Sequence, residues 1–331
     1  MKCVKLQSSE GISGLAYTDI DPPKTMTKND LFIKHTSAGV DFDDIQFSYG
    51  REGAYYAGST VKNRGIIGLS GTGIVEMAGS AIDGYFPVGT RVAYGFGSVG
   101  SFCEKRVINS SFVVKIPDGI TDNQCSSIFR KGLLVHSLLF KVIIIRKGQT
   151  ILVHNASGTT EQMLCRWASQ LGINVVGIVS SKEHEQIARN SGCSFVLTYQ
   201  PNWSEVVVAF TQDKGISIVF DSMGKTVFDE SLKCLKVFGS YISYGSKEGE
   251  IKTIDVAKLA EKCLFFTAPV LEQYKATTAD LRLGSEALFK AFKDKTIVTN
   301  FEAYKMSDMS AVLSKFERGG FINNVVLVQD Q

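Results

Sequence analysis

The amino-acid sequence predicts an α/β protein in which a doubly wound parallel sheet, with helices on both faces, follows a β-rich, barrel-like domain. Three observations carry that expectation. From Ile151 onward, short apolar runs alternate with stretches of helical spacing, the pattern of β-α-β units and hence of a parallel sheet. Before about residue 120 the apolar runs are short and broken by Gly, Pro and Asp, as many short strands joined by turns require. Between the two, Thr121-Asp-Asn-Gln124 has the Thr-x-x-Gln form of a capping box and opens a mostly apolar, helix-like stretch from Cys125 to Phe140. A domain boundary belongs there, and 331 residues with 44% hydrophobic side chains suffice for two cores.

In the first part, Leu31-Phe-Ile-Lys-His35, Gly73-Ile-Val-Glu-Met77, Arg91-Val-Ala-Tyr-Gly95 and Phe112-Val-Val-Lys-Ile116 read as strands, with the dense glycines as turns and bulges. The α/β part starts with Ile151 to Val153 as a strand and Gln162 to Leu171 as a helix stopped by Gly172. Met163, Leu164, Trp167, Ala168 and Leu171 share the helix face that packs on the sheet. Val175 to Val179 is the next strand, Lys182 to Asn190 a helix closed by Gly192, and Phe195 to Tyr199 a strand. Ser204 to Thr211 reads as a short helix, Ile216 to Asp221 as a strand, Val227 to Val237 as a helix and Ser240 to Gly245 as the strand after it. Thr277 is placed to cap a helix running to Lys293, and Ser307 one running to Phe316. Asn324-Val-Val-Leu-Val328 is a strand with no helix after it, so it is expected to return to the first domain.

The 36 basic and 33 acidic residues leave a net charge of +3 without a long block of either sign, unlike the concentrated basic face of a bulk nucleic-acid binder. Seven cysteines are scattered and nowhere form a CxxC pair, which fits reduced thiols in a cytoplasmic protein better than a disulfide framework. The N-terminal Met1-Lys-Cys-Val-Lys-Leu-Gln-Ser has no apolar signal core, and no run approaches the roughly 20 residues that span a bilayer, so a soluble chain is expected. Catalytic zinc needs three converging His, Cys or carboxylate ligands. Cys103 and His35 read instead as a core thiol and a surface histidine, and no metal is expected.

Ligands of an open parallel sheet bind at the carboxyl ends of its strands, so those ends hold the candidate residues. The first is the turn Asn155-Ala-Ser-Gly158-Thr159-Thr160-Glu161. Two readings stand: its amides and the positive end of the next helix seat a pyrophosphate, or it is an ordinary strand-to-helix connection. The second is Val179-Ser180-Ser181-Lys182, where an NAD site usually places an acid against the ribose. Hydroxyls and a cation suit a 2′-phosphate and so NADPH, unless this is a solvated strand end starting a helix. Asp221-Ser222-Met223-Gly224 and Tyr244-Gly245-Ser246 are small polar turns suited to line a nicotinamide ribose.

At these residues a resemblance becomes specific. Val153-His154-Asn-Ala-Ser-Gly158, Leu164-Cys-Arg-Trp-Ala168, Leu171-Gly172, Val176-Gly-Ile-Val-Ser-Ser181 and Phe220-Asp-Ser-Met-Gly224 resemble the NADPH:quinone oxidoreductase (zeta-crystallin-like) branch of the zinc-independent medium-chain dehydrogenase/reductase superfamily. Ala38-Gly-Val-Asp41-Phe-Asp-Asp44 is similar to its Gly-Val-Asn-Phe-x-Asp segment, Arg130-Lys131-Gly132-Leu133 to its Lys-Gly-Leu-Thr helix, and Asp221 to Leu235 keeps its Asp-Ser-Val-Gly and Ser-Leu-x-Cys-Leu spacing. The resemblance covers nearly the whole chain. It implies a discontinuous GroES-like twisted-barrel catalytic domain, 1–122 with 268–331, around a Rossmann-type dinucleotide domain, 123–267. Where zinc relatives carry Gly-His-Glu, this chain reads Gly68-Leu69-Ser70.

Carried over position by position, the resemblance places Asp44 and Asp41 near the nicotinamide and substrate, with Lys131 on the nicotinamide side. Gly158, Thr159 and Thr160 would contact the pyrophosphate. Ser181, Lys182 and Tyr199 would surround the adenosine 2′-phosphate, and Ser222, Tyr244, Gly245 and Ser246 would follow the cofactor along the strand ends. The implied activity is hydride transfer from NADPH to a quinone or related electrophilic carbonyl compound, in a homodimer. An enone or enoyl reductase, and an inactive relative kept as a binding protein, are the alternatives. The sequence departs from the family turn Ala-Ala-Ala-Gly-Gly-Val-Gly by keeping only Gly158 of its three glycines; the others are Thr159 and Glu161. The last glycine permits close approach to the phosphates, whereas Glu161 adds bulk and negative charge there.

Overall fold

The computed structural model describes residues 1–50, 65–97 and 99–330. The chain divides into two compact units, one of Met1–Leu134, Leu271–Asp294 and Val298–Gln331, the other of Val135–Val270 and Lys295–Ile297.

The first unit begins with the antiparallel pair β1 (Lys2–Leu6) and β2 (Leu15–Asp19). Strand β3 (Asp30–Val40) leads to the short helix α1 (Phe42–Ser48), then β4 (Ser70–Ala78), β5 (Arg91–Tyr94), β6 (Lys105–Asn109) and β7 (Val114–Lys115). β3 is the spine: it pairs antiparallel with β4 and β6, and alternate residues Leu31 and Ile33 join Val75, Val92 and Ile108 in a buried core. Helix α2 (Asp122–Ser137) starts where the sequence predicts, with the Thr121 amide bonded to Gln124 Oε1 at 3.0 Å and the Gln124 amide to Thr121 Oγ1 at 3.2 Å. Gly132 makes room inside this helix for Leu288, whose Cδ1 a Cβ there would approach to 2.3 Å.

The second unit alternates strictly. Its elements are β8 (Thr150–Val153), α3 (Thr159–Gln170), β9 (Asn174–Val179), α4 (Glu185–Asn190), β10 (Phe195–Thr198), α5 (Trp203–Phe210), β11 (Ile216–Asp221), α6 (Phe228–Cys234), β12 (Leu235–Ser243), α7 (Val256–Ala260) and β13 (Phe265–Thr267). All six strands are parallel in the order β10-β9-β8-β11-β12-β13. The winding reverses between β8 and β11, so the crevice at their carboxyl ends is the switch point where doubly wound sheets take ligands. Met163, Leu164, Trp167 and Ala168 are buried on α3 as the periodicity predicts, while Leu171 is exposed past the helix end.

The chain then supplies the first unit with α8 (Leu271–Tyr274), α9 (Thr278–Lys293), β14 (Phe301–Lys305), α10 (Met309–Glu317) and β15 (Asn324–Val328). Thr277 caps α9 by accepting the Asp280 amide at 3.0 Å. The expected return of the last strand is observed: β15 lies between β14 and β3, parallel to one and antiparallel to the other.

Several expectations are corrected. The helix expected over Val227 to Val237 ends at Cys234, because Leu235 pairs with Ile216 and the following Val and Phe suit a strand better than a helix. Ser307 does not cap α10; its hydroxyl donates to Asp330 Oδ1 at 2.7 Å, and a 3₁₀ turn over Met306–Asp308 precedes the helix. The strand expected at Phe112 shrinks to two residues after a 3₁₀ turn at Ser110–Phe112. His35 is buried rather than on the surface. Its Nδ1 donates to the Cys103 carbonyl at 2.7 Å, its Nε2 accepts from the Tyr94 hydroxyl at 2.6 Å, and burial pushes its pKa down to about 3. No helix among the described residues is long and apolar enough to cross a membrane.

Candidate functional site

The turn between β8 and α3 is built from a fully paired buried histidine. The His154 side chain follows the last residue of β8 into the core, where burial pushes its pKa down to about 3 and keeps it neutral. Ser231 Oγ donates to the Val227 carbonyl at 2.6 Å, so it accepts from His154 Nε2 at 2.8 Å, which leaves Nδ1 to accept from the Tyr199 hydroxyl at 3.0 Å. The Tyr199 oxygen in turn accepts the Asn155 amide at 3.4 Å, and its ring stacks on His154 with an interplanar angle of 5°. The hydroxyl expected to reach a 2′-phosphate is therefore committed to holding the turn. Asn155 takes φ 53°, in the left-handed region, and the Gly158 amide closes the turn on the Asn155 carbonyl at 2.7 Å.

Gly158 is the N-cap of α3 and has no side chain to meet the first-turn amides. Glu161, only 5% exposed, turns its carboxylate toward one of them, its own amide. Its carboxylate folds back over the turn so closely that a Cβ on Gly158 would lie 2.2 Å from Glu161 Oε2. Oε1 accepts the Tyr244 hydroxyl at 2.9 Å. Burial raises the Glu161 pKa, while the Ser222 hydroxyl, its own amide and Tyr244 work against that rise. Ser222 Oγ is buried beside the carboxylate without forming a hydrogen bond of good geometry. Tyr244 follows β12 and Ser222 follows β11, so the carboxylate sits at the switch point and engages two residues expected to line a cofactor. The Glu161 carboxylate fills the space over Gly158 that a pyrophosphate would take, so the turn in this conformation does not fit one.

The neighbouring strand ends are held by several hydrogen bonds. Asp221 Oδ1 accepts the amides of Met223 at 2.7 Å and Gly224 at 3.0 Å, its Oδ2 accepts the Tyr241 hydroxyl at 2.6 Å, and burial raises its pKa to about 6. Amides of Tyr244, Lys247 and Glu248 reach back to carbonyls of Asp221, Ser222 and Met223, which laces Gly245 and Ser246 against the β11 turn. Ser181 heads a 3₁₀ turn over Lys182–His184 after β9, with the Ser180 hydroxyl 2.9 Å from His184 Nδ1. Lys182 is exposed and, among the described residues, has no carboxylate partner. Thr159 and Thr160 are half-buried in the first turn of α3.

The catalytic candidates of the first unit form a buried charge cluster. Asp41 precedes α1, and Lys131 Nζ lies 2.7 Å from Asp41 Oδ1 and donates to the Val40 carbonyl at 3.1 Å. Arg130 donates through Nη2 to Asp43 Oδ2 at 2.7 Å, and through Nη1 to the Gly95 carbonyl at 2.7 Å and Glu272 Oε1 at 3.2 Å. Asp44 Oδ2 accepts the Asp41 amide at 2.8 Å, an N-terminal capping bond that accounts for Asp44 without a ligand. Its Oδ1 is buried and unpartnered. Burial, then the Asp41 charge, hold the Asp44 pKa well above the ordinary value. Sequence reasoning named Lys131, Asp41 and Asp44 but missed Asp43 and Glu272, although adjacent cations in an apolar helix signalled that carboxylates must meet them.

This arrangement has a pH signature. The folded Asp44 pKa lies above the unfolded one, so folding takes up a proton, and stability falls as pH rises from about 4 through the folded pKa. Asp44→Asn keeps an acceptor for the Asp41 amide and removes the titration. Its advantage over wild type should be absent near pH 4 and grow with pH, by up to about 1.4 kcal/mol per unit within the window. Thermal melts at acid and neutral pH measure this, and an equal difference at both would show that Asp44 titrates normally.

Comparison with known proteins agrees with the two units. Residues 27–118 match the family model of the alcohol dehydrogenase GroES-like domain, and residues 162–271 that of the zinc-binding dehydrogenases. Among the described residues, no group of three or more His, Cys, Asp or Glu side chains is placed to hold a metal ion. The chain is 32% identical over 290 residues to a quinone oxidoreductase of Pseudomonas aeruginosa, covering 87% of each. It is 29% identical over 266 residues to a 2-haloacrylate reductase of a Burkholderia species, covering 79% of each. The structure of mycobacterial Rv1454c complexed with NADPH superposes with a TM-score of 0.90 at 28% identity, over 99% of this chain and 100% of that one. The fold is thus a GroES-like β domain with a Rossmann-type α/β domain, and the chain belongs to the quinone oxidoreductase, zeta-crystallin-like branch of the medium-chain dehydrogenase/reductase superfamily.

Proposed function

We propose that the protein is an oxidoreductase that uses NADPH to reduce quinones or related electrophilic carbonyl compounds, with Glu161 displaced from the turn when the cofactor binds. The observation that carries this is the doubly wound sheet whose switch point falls at the Gly158 turn, in a chain 32% identical to a quinone oxidoreductase across 87% of its length. NADPH is favoured over NADH by Ser181 and the exposed Lys182 at the end of β9, where an NAD site would carry an acid. The chain's own contribution is positional: laced turns after β11 and β12 line the cofactor, and Lys131 is oriented by Asp41.

A second reading draws on the 2-haloacrylate reductase relative, which favours an activated alkene as acceptor. Turnover of a simple quinone with no activity on enones would count against it. A third, a relative that keeps the fold and has lost turnover, is favoured by the carboxylate over Gly158. Calorimetric titration separates it from the others, since no binding at near-millimolar NADPH would sink the enzyme reading.

Glu161→Gly should tighten NADPH on the order of tenfold, as expected for removing a like charge within a few ångströms of the phosphates; unchanged or poorer affinity would discard the competition between the two anions. Lys182→Ala should lower the preference for NADPH over NADH several-fold, and an unaltered ratio would remove Lys182 from the site. We also infer a homodimer through edge strand β13. Phe265 at 62% exposure and Phe238 at 66% are large apolar side chains left uncovered at that edge, where the Phe238 amide bonds to the Lys262 carbonyl. Sedimentation should give a dimer for wild type and a monomer for Phe265→Asp; a wild-type monomer would rule this out.

A further inference from the structure

The first unit carries a second cleft that the candidate site does not use. It has a volume of 490 Å³, in the range of small-molecule sites, and lies against one face of α9. Its floor is apolar, formed by Val114, Pro117 and Phe289, the last buried and stacked on Phe129 at 5.8 Å. Its rim is cationic and centred on Tyr85, whose ring is 46% exposed. Lys115 Nζ lies 4.3 Å from the Tyr85 ring centroid and Arg282 Cζ 4.8 Å from it, so two cations share one phenol. Lys293 adds a third charge about three helical turns further along the same face of α9.

The charges in the cleft do not balance. Four cations (Lys115, Arg282, Lys290 and Lys293) face two acids (Glu286 and Asp294), an excess of two positive charges. Asp294 is taken by Lys290 in an ion pair. Among the described residues, neither Lys115, Arg282 nor Lys293 is within ion-pair distance of a carboxylate. Cations held close together without an anion repel one another, while the ring and the floor offer apolar surface beside them. A ligand that answers both has a charged head and an apolar body.

We propose that this cleft binds an amphipathic anion, with a carboxylate or phosphate head between Lys115 and Arg282 and a hydrocarbon or aryl body over Val114, Pro117 and Phe289. A cation is repelled from the rim, a neutral hydrocarbon leaves the charges unanswered, and an inorganic anion leaves the floor exposed. The site shares no lining residue with the Gly158 turn or the Asp41–Lys131 cluster and does not depend on the function proposed above.

Isothermal titration of the full chain with octanoate and with octyl phosphate tests it, and the tighter of the two identifies the head group. One of them should bind once per chain, with octylammonium and inorganic phosphate at least tenfold weaker. The double variant Lys115→Glu, Arg282→Glu should lose at least tenfold in affinity, and Lys293→Glu, made separately, should lose several-fold. All three positions are at the surface, so unchanged thermal melts should accompany these losses. Equal binding of octylammonium, equal binding of inorganic phosphate, or unchanged affinity in the charge-reversed double variant would each overturn the proposal.

Discussion

A parallel sheet ends in backbone and side-chain polar groups that no further strand can pair, and the second unit is arranged around satisfying them at the ends of β8, β11 and β12. Each end uses a buried side chain as its anchor. His154 holds the first between Tyr199 and Ser231, Asp221 holds the second by accepting its own turn amides and the Tyr241 hydroxyl, and Glu161 bonds the third to α3 through Tyr244. The solution is self-sufficient. A helix N-terminus of this kind attracts an anion because its first amides are unpaired and its dipole is positive, and here the chain supplies that anion from its own third helical residue. Burial makes the arrangement costly to disturb, since a carboxylate moved out of its donors must find water or another cation.

The first unit solves a different problem, that of too many carboxylates in one buried place. Arg130 and Lys131 are adjacent on α2 and fan out to different acids, one bridging Asp43 and Glu272, the other joining Asp41 to the end of β3. Buried pairs of this sort contribute little net stability but are damaging to break singly. Asp44 is the acid left over, and its pKa is raised first by burial and then by the neighbouring Asp41 charge.

Much of this was legible in the residues. The reciprocal bonds of Thr121 and Gln124, the cap at Thr277, the limits of β11 and the return of β15 follow from spacing and side-chain type, because each depends on neighbours within one element or on a single hydrophobic stripe. What was not legible is direction. An acid in the first turn of α3 reads as favourable to the helix dipole wherever it points; that Glu161 turns inward depends on Tyr244, 83 residues away. Tyr199 presents the same difficulty, since the partner that claims its hydroxyl lies 45 residues earlier. His35 looked like a surface residue in a short strand, and its burial follows from Tyr94 and Cys103 on other segments.

The placement of β15 bears on how the chain is made. It enters between β14 and β3 and is bonded to both, so the core strand β3 is synthesised some 290 positions before its neighbour exists, as the residue numbers of the two strands show. The six parallel strands of the second unit, by contrast, all lie between Thr150 and Thr267. During synthesis the second unit is complete while the first still has an open edge at β3, a row of amides and carbonyls awaiting β15. The sheet of the first unit is therefore completed last, and the interval before β15 pairs is one in which the protein is exposed to mispairing with other chains.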